Sequence, residues 1–268
     1  MTLIETMGAG ERTKPAIHNI SPLHCRTDWQ WAWDRMAVCI PFWSGGGAPH
    51  AWIRGRGWVA ATVGGTAPDW AIGNYGHAVY GNSATKYWLW LAASLAHLNV
   101  LPWSASPTSW LMVAANDGTN TAYHQAPIYH ATGYIPFEYR NDGTTIRFGM
   151  GGTTTNQTVA AFRNVQSICA GSYDLTTYRN HYRVGGINYS SSAAVTYLAA
   201  AGSNLAIIRP GLGYFAGSIS ALYIFAAALS VEQMAALVRD PFGLLRAPAL
   251  TYLMGGSPWY QYLQQAGD

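Results

Sequence analysis

Residues 217–240 read GSISALYIFAAALSVEQMAALVRD, and this stretch decides the class of fold. Its first part is rich in β-branched and aromatic side chains, which favour a β-strand. Ser230 and Gln233 have the spacing of a capping box, in which each side chain bonds a backbone N–H of the other residue. Pro241 disfavours helical geometry in the residue before it, so the helix is expected to end near Asp240. The sequence therefore predicts a strand followed directly by a short capped helix.

Upstream of this ending, short apolar runs alternate with turn residues along most of the chain. The Asn141-Asp142-Gly143 turn joins two alternating runs, which is a hairpin signal. Many short strands separated by regular turn signals favour an all-β sandwich or jelly roll. The predicted strands cover residues 36–40, 58–63, 87–91, 109–114, 134–140, 144–150, 158–162, 165–171, 177–184, 205–209 and 218–225.

The two ends of the chain differ from this pattern. Residues 1–34 lack a clear periodicity and contain a cluster of Trp29, Trp31 and Trp33, so we predict an extended N-terminal arm that serves in assembly. Residues 35–246 form the predicted sandwich domain, and residues 247–268 form a C-terminal tail. The sequence thus predicts one antiparallel β-sandwich with one short C-terminal helix and extended terminal arms.

The strand–helix ending resembles the laminin G-like and pentraxin-like branch of the concanavalin A-like superfamily, in which a Gly-x-Ile strand runs into a helix beside the sandwich. Residues 165–174 (VQSICAGSYD) and 182–185 (YRVG) are similar to two further strands of that family. The resemblance covers about residues 36–246 and implies a concanavalin A-like jelly roll. The DPFGLL sequence at 240–245 resembles the ending of bacterial and phage versions, and phage use such domains in tail fibres, head fibres and capsid decoration.

The composition is poor in charge and rich in aromatic side chains. Charged residues make up 10% of the chain and aromatic residues 13%. Of the 15 basic residues only Lys14 and Lys86 are lysines, and protein interfaces favour Arg, Tyr and Trp over Lys. A genomic bias that favours Arg codons is the alternative explanation. The net charge is +3 without a basic run, so the chain lacks the electrostatic signature of nucleic-acid binding.

Together with the composition, the resemblance implies a non-enzymatic structural protein of a phage virion, either a capsid decoration (cement) protein or a head-fibre protein attached through its terminal arms. Its expected partners are further copies of itself, as in a trimer, and the major capsid protein or another virion protein. The N-terminus has no apolar signal peptide and the chain no clean membrane span, so we expect synthesis in the host cytoplasm and a place on the virion surface.

The alternative is a lectin-like carbohydrate-binding module of a tail fibre or host-recognition protein, with a cell-surface glycan as partner. Its candidate residues are Trp43, Trp52, Trp70 and Tyr75, because exposed aromatic rings can stack on sugar rings. The same rings could instead fill a core or an interface, since aromatic residues dominate both.

No catalytic or metal site is predicted. Glycosidases need two carboxyl groups about 5–10 Å apart, and the one closely spaced Glu–Asp pair is Glu138 and Asp142, where alternation predicts a solvent-facing Glu138. The chain is expected to need no cofactor. Calcium is the alternative, with ligands from Asn116–Asp117 or Asn141–Asp142, although both pairs precede Gly in predicted turns. The three cysteines lack the spacing of a zinc site or disulfide framework, and we predict buried thiols.

Overall fold

The fold was analysed in a computed structural model, which describes residues 25–42, 46–63, 66–73, 75–82, 88–90, 106–119, 124–125, 128–130, 137–150, 153–194, 205–207 and 215–246. These residues form an antiparallel β-sandwich with a short C-terminal helix, as the sequence predicts. The strands are β1 (Met36–Ile40), β2 (His50–Ile53), β3 (Gly57–Ala60), β4 (Thr62–Val63), β5 (Asp69–Gly73), β6 (Gly76–Gly81), β7 (Trp88–Trp90), β8 (Thr108–Asn116), β9 (His124–Gln125), β10 (Ile128–His130), β11 (Phe137–Arg140), β12 (Thr145–Met150), β13 (Thr153–Thr158), β14 (Gln166–Tyr173), β15 (Thr177–Val184), β16 (Ile187–Ala194), β17 (Leu205–Ile207) and β18 (Gly217–Phe225).

The main sheet is built around β18, which comes from the end of the domain. β18 pairs with β8 along one side. On its other side it pairs with β1 over its C-terminal half and with β6 over its N-terminal half. The sheet order is β16-β15-β14-β8-β18-β1-β2-β3, and β5 pairs with the outer side of β6. The first and last strands of the domain are therefore neighbours in the middle of the sheet.

A second layer packs against the inner face of the main sheet. It consists of two four-stranded sheets, with strand orders β10-β17-β7-β4 and β13-β12-β11-β9. Trp110 and Ile224 of the main sheet, Trp90 and Leu205 of the first small sheet, and Phe148 of the second share one buried cluster. Full burial of one such side chain stabilises the fold by about 1.5–3 kcal/mol, so this cluster is the principal core.

The outer face of the main sheet is covered by the C-terminal helix α2 (Val231–Arg239) and by the segments beside it. The helix begins as predicted, because the Gln233 amide donates to Ser230 Oγ at 3.3 Å and the Ser230 amide donates to Gln233 Oε1 at 3.0 Å. Leu229 and Met234, which flank this cap, are both buried against the sheet. Asp240 ends the helix before Pro241.

The prediction of an extended conformation is wrong for the end of the N-terminal arm. Residues Thr27–Trp29 form a 3₁₀ turn and α1 spans Gln30–Arg35. Trp29 and Trp33 are four residues apart, so they share one face of the turn and the helix and are buried against the outer side of the sheet. Residues 1–24 and 247–268 lie outside the described residues, and the division of the chain into arm, sandwich and tail stays a prediction.

Local errors in the predicted strands have simple causes. β1 and β15 have the predicted bounds. The predicted strand 158–162 is wrong, because β13 ends at Thr158 and the residues after it form a loop that buries Val159 and Phe162. The predicted strand 58–63 is divided at Ala61, where the chain leaves the main sheet and enters the second layer as β4. Seven strands have no counterpart among the predicted ones: β2, β5, β6, β9, β10, β13 and β16.

The three cysteines, Cys25, Cys39 and Cys169, are buried thiols, as predicted. Burial raises the pKa of Cys39 and Cys169, which keeps both thiols protonated at neutral pH. No helix among the described residues is long and apolar enough to cross a membrane.

Candidate functional site

The β2–β3 hairpin carries two tryptophans on one face of the main sheet. Its sequence, HAWI-RGR-GWVA, places Trp52 directly opposite Trp58 in the antiparallel register. Directly opposed residues of antiparallel strands project to the same side, with Cβ atoms about 4.5–5.5 Å apart. Trp52 also pairs with Cys39 of β1, which belongs to the outer, helix-covered side of the sheet. We call Trp52 and Trp58 the tryptophan pair.

The tryptophan pair lies where the cover of the outer face ends. The ring of Trp33 in α1 meets Trp52 edge to face, with centroids 5.3 Å apart. Trp33 is itself buried, and its Nε1 donates to the Leu244 carbonyl at 2.6 Å. Trp52 is half-buried, whereas Trp58, on the last strand of the sheet, is 42% exposed. The pair therefore presents an apolar surface that is supported from one side and open to solvent on the other.

The hairpin that carries the tryptophan pair also contains basic residues. His50 lies opposite Ala60 in the same register as the pair, on the same face, and is exposed. Arg56 in the hairpin turn is exposed as well. Arg54 holds the hairpin against α1, because its Nη2 donates to the carbonyls of Trp33 at 3.2 Å and Asp34 at 2.6 Å. The hairpin from residue 50 to 60 contains no carboxylate, so its donors suit hydroxyl or acidic groups.

Two of the other predicted glycan-binding residues, Trp70 and Tyr75, make contacts within the fold. Trp70 in β5 is half-buried against the principal core, and its Nε1 donates to the Gly47 carbonyl at 3.0 Å. Tyr75 packs on Phe242 with ring centroids 5.0 Å apart, beneath the C-terminal segment. Trp43 lies outside the described residues. Trp58 was absent from the predicted site, although the symmetric spacing of Trp52 and Trp58 about Gly55 signals a hairpin.

The tryptophans predicted to serve in an assembly arm are used within the chain's own fold. Trp29 and Trp33 are buried in the cluster on the outer face of the sheet. Trp31 is half-buried and stacks on Trp29, with centroids 5.8 Å apart and an angle of 29° between the rings. Of the three rings, Trp31 is thus the one with the most surface left for a partner, and an assembly role for the segment stays a prediction.

Glu138 is buried, and the prediction that it faces solvent is wrong. Its Oε1 lies 3.1 Å from Arg140 Nη1 and 3.0 Å from Arg147 Nη1, and its side chain is 3% exposed. Arg140 is two residues further along β11 and Arg147 is directly opposite in β12, so all three side chains share one face of the small sheet. Burial, and then the charge of Arg147, lower the pKa of Arg140.

Asp142 and Asp117, the candidates for a catalytic carboxyl group or a calcium ligand, accept hydrogen bonds within the fold. Asp142 Oδ1 accepts from the amides of Thr144 and Thr145 at 2.8 and 2.7 Å. Burial acts to raise the pKa of Asp142, but these hydrogen bonds outweigh it and the pKa is lowered. Asp117 Oδ2 accepts from the Tyr80 hydroxyl at 2.5 Å, and this bond, with burial, raises the pKa of Tyr80 to about 12.

Metal binding has no supporting geometry in the part of the chain that the structure describes. There, no three His, Cys, Asp or Glu side chains are grouped so that they could hold a metal ion. Two histidines that are close in sequence, His124 and His130, do not share a strand. Their backbones lie in β9 and β10, which belong to different small sheets. The absence of a cofactor and the calcium alternative both stay predictions.

Comparison with known proteins gives the fold and no family. No protein-family model matches the chain, and no curated protein matches it. Among solved structures, a sialidase of Trypanosoma rangeli in complex with sialic acid is similar, with a TM-score of 0.54 and 11% identity over 76% of this chain and 33% of the sialidase. The botulinum neurotoxin serotype C1 binding domain has a TM-score of 0.53 and 10% identity over 76% of this chain and 52% of that domain. The binding domain of botulinum neurotoxin DC in complex with rat synaptotagmin II has a TM-score of 0.52 and 9% identity, over 77% and 51% of the two chains.

These similarities support the β-sandwich fold of this chain. This chain spans about a third of the length of the sialidase and about half of each toxin domain. At such identities the likeness concerns the fold, and one fold can support many functions.

Proposed function

We propose that this chain is a non-catalytic binding domain that recognises carbohydrate through the tryptophan pair. The observation that carries the proposal is the placement of Trp52 and Trp58 side by side on one face of the β2–β3 hairpin, at the edge of the sheet. A sugar ring has an apolar face of C–H groups that packs on an indole, and its hydroxyls form hydrogen bonds at the rim. His50, which is exposed on the same face of the hairpin, supplies a donor at that rim.

The state of the acidic residues supports a binding role over hydrolysis. A glycosidase needs one carboxyl group that can deliver a proton and a second that acts as base or nucleophile. Glu138 is held between Arg140 and Arg147, and Asp142 Oδ1 is used by the backbone of its own turn. Neither carboxylate is presented to a substrate in this arrangement.

The solved structures support the proposal at the level of fold. One similar protein is a sialidase in complex with sialic acid, and another is a toxin binding domain in complex with the protein synaptotagmin II. This chain matches about a third of the sialidase and about half of the toxin domain, so these similarities support the sandwich fold, and the choice of ligand rests on the hairpin. The exposed Trp58 indole beside Trp52 and the absence of acidic groups in the hairpin favour a sugar.

The experiment is a glycan array of immobilised neutral and sialylated oligosaccharides, probed with the full chain and followed by calorimetry on the best ligand. Trp58→Ala is expected to weaken binding at least about tenfold, because stacking area is lost. Ile72→Ala is the matched control, since Ile72 is 74% exposed on β5 and outside the hairpin. The proposal fails if Trp58→Ala binds as the unchanged protein does, or if no sugar binds.

A second candidate is the structural role on a phage particle that the sequence suggests. It is favoured by the low charge of the chain and by the edge strand β16, which has eight residues without one charged side chain. In this role the arm and the tail would attach the domain to a capsid or fibre, and the domain would decorate the particle surface. Hydrogen exchange on the isolated chain tests the attachment: fast exchange in residues 1–24 and 247–268 is expected, and slow exchange there would contradict it.

A further inference from the structure

The outer edge of β16 is an open edge of the main sheet. β16 pairs with β15 along its whole length without a bulge, from Ile187 opposite Val184 to Ala194 opposite Thr177. In the described part of the chain, no strand pairs with its other side. At the opposite end of the sheet, the chain turns at Ala61 after β3 into the second layer, and Trp90 Nε1 donates to the Val59 carbonyl at 3.2 Å.

The hairpin turn before β16 determines which peptide groups face outward. Gly185 and Gly186 both have positive φ, 57° and 86°, as in a two-residue type I′ turn. The flanking residues Val184 and Ile187 then form a hydrogen-bonded pair, and such pairs alternate with non-bonded pairs along an antiparallel ladder. The N–H and C=O groups that point away from β15 therefore belong to Asn188, Ser190, Ser192 and Ala194.

β16 lacks the features by which natural sheets protect their edges. Such edges usually carry a charged residue, a proline or a bulge, because a regular open edge is a template for another strand. The sequence INYSSSAA contains neither charge nor proline, and its pairing is regular. Asn188, Ser190, Ser192 and Ala194 are all exposed. A strand of this length could therefore accept a further strand along its entire edge.

We propose that β16 pairs with β16 of a second copy of this chain in antiparallel orientation, so that the two main sheets become one. In the register we infer, Ser190 lies opposite Ser192 of the second copy and the two-fold axis passes between the two Ser191 residues. This register uses the outward peptide groups of Asn188, Ser190, Ser192 and Ala194 in both copies. In this register each residue of β16 lies opposite a residue of the second copy whose side chain is on the same face of the strand, because the two residue numbers differ by an even number.

The side chains of β16 fit its own copy. Tyr189, the largest of them, would lie opposite Ala193, and the centre of the interface would contain serines alone. A two-fold axis brings each residue close to its own equivalent, so a charged residue near the axis would be repelled. A strand without charge avoids this repulsion.

The proposal does not depend on carbohydrate binding. The tryptophan pair lies on β2 and β3, at the other end of the main sheet from β16. Pairing through β16 leaves both tryptophan pairs accessible, at the two far ends of the dimer. If the domain also binds sugar, the dimer would be bivalent and would gain avidity on a surface with many ligands.

Sedimentation velocity on the full chain tests the proposal. The unchanged protein is expected to sediment as a dimer at micromolar concentration, with twice the monomer mass of 29.0 kDa. Ser190→Pro is expected to give monomer, because proline removes an outward N–H that is not used in pairing with β15. Ser190→Thr is the matched control and should remain dimeric, and circular dichroism should show that both variants are folded.

Two further variants keep the test decisive. Ser190→Lys with Ser192→Lys places lysine opposite lysine and should also give monomer, without a change of backbone. Ser191→Cys should cross-link the two copies under mild oxidation, because the two Ser191 residues form a non-hydrogen-bonded pair with Cα atoms about 4.5 Å apart. Asn188→Cys, which would face Ala194, should not cross-link. A protein that stays monomeric at about 100 μM, or a dimer that survives both the proline and the lysine variants, overturns the proposal.

Discussion

Two neighbouring pairs of residues on β8 and β14 lie on opposite faces of the main sheet. The two pairs stabilise their faces through different kinds of contact. On the inner side, Trp110 lies opposite Gly171, and its Nε1 donates to the Tyr178 hydroxyl at 3.0 Å. On the outer side, Ser109 lies opposite Ser172 with their hydroxyls 3.0 Å apart. The inner contact depends on shape, because the indole occupies the space that a side chain at 171 would need. The outer contact depends on hydrogen bonds.

The outer pair fixes the segment that leads into α2. The Leu229 amide donates to both serine hydroxyls, at 2.9 Å each. Ser109 Oγ donates to the Ala227 carbonyl at 2.8 Å, and Ser172 Oγ donates to the Leu229 carbonyl at 2.9 Å. The inner face should therefore tolerate no added volume, whereas the outer face should be sensitive to the loss of single hydroxyls.

The largest effect is expected for Gly171→Ala. The added Cβ would lie 2.4 Å from Tyr178 Oη and 2.6 Å from Trp110 Nε1, so two packed rings must move. Overpacking of this kind lowers the free energy of unfolding by about 2–3 kcal/mol, measured by urea denaturation. Gly46→Ala is the control, because nothing lies within 4 Å of its added Cβ. Equal midpoints for the two variants would show that the inner face is not tightly packed.

A smaller effect is expected for Ser109→Ala and Ser172→Ala. Each removes one buried hydroxyl and should lower the free energy of unfolding by about 1–2 kcal/mol. The double variant should cost more than the sum, because in each single variant the remaining hydroxyl still accepts from the buried Leu229 amide. Ser220→Ala is the control, since the buried Ser220 hydroxyl has no hydrogen-bond partner in the structure. If Ser220→Ala destabilises as much as the other two, hydrogen bonding does not explain the outer face.

The smallest effect is expected for Ser230→Ala at the start of α2. Loss of the cap should lower the free energy of unfolding by about 1 kcal/mol. Hydrogen exchange should increase for the amides of the first turn, including that of Gln233, which donates to Ser230 Oγ. Ser230→Asp should keep the cap, and unchanged exchange in Ser230→Ala would indicate that packing of Leu229 and Met234 holds the helix start without it.

The parts of the fold that sequence predicts well are those with local signals. The α2 cap and the hairpin at Asn141-Asp142-Gly143 follow from short-range chemistry and are present as predicted. Helix α1 was missed because a dense run of tryptophans obscured the four-residue spacing of Trp29 and Trp33. β16 was missed because a serine-rich edge strand has little apolar alternation to reveal it.

The candidate site was predicted in part for the same reason. Trp52 was identified from its residue type, but recognising Trp58 required the β2–β3 register. The burial of Glu138 could not be predicted, because alternation gives the face of a strand and not what covers it. Its partner Arg147 comes from the next strand, so that ion pair exists only once β11 and β12 are aligned.

The pairing of β1 with β18 affects how the protein folds while it is being synthesised. Met36 lies opposite Phe225, and Trp33 bonds to the Leu244 carbonyl, so contacts at the centre of the sheet join the two ends of the domain. During translation, β1 lacks its neighbour β18 until almost the whole domain has left the ribosome. Folds dominated by such distant contacts form slowly and expose strand edges while they wait. The nascent chain should therefore depend on chaperones until the last strand is released.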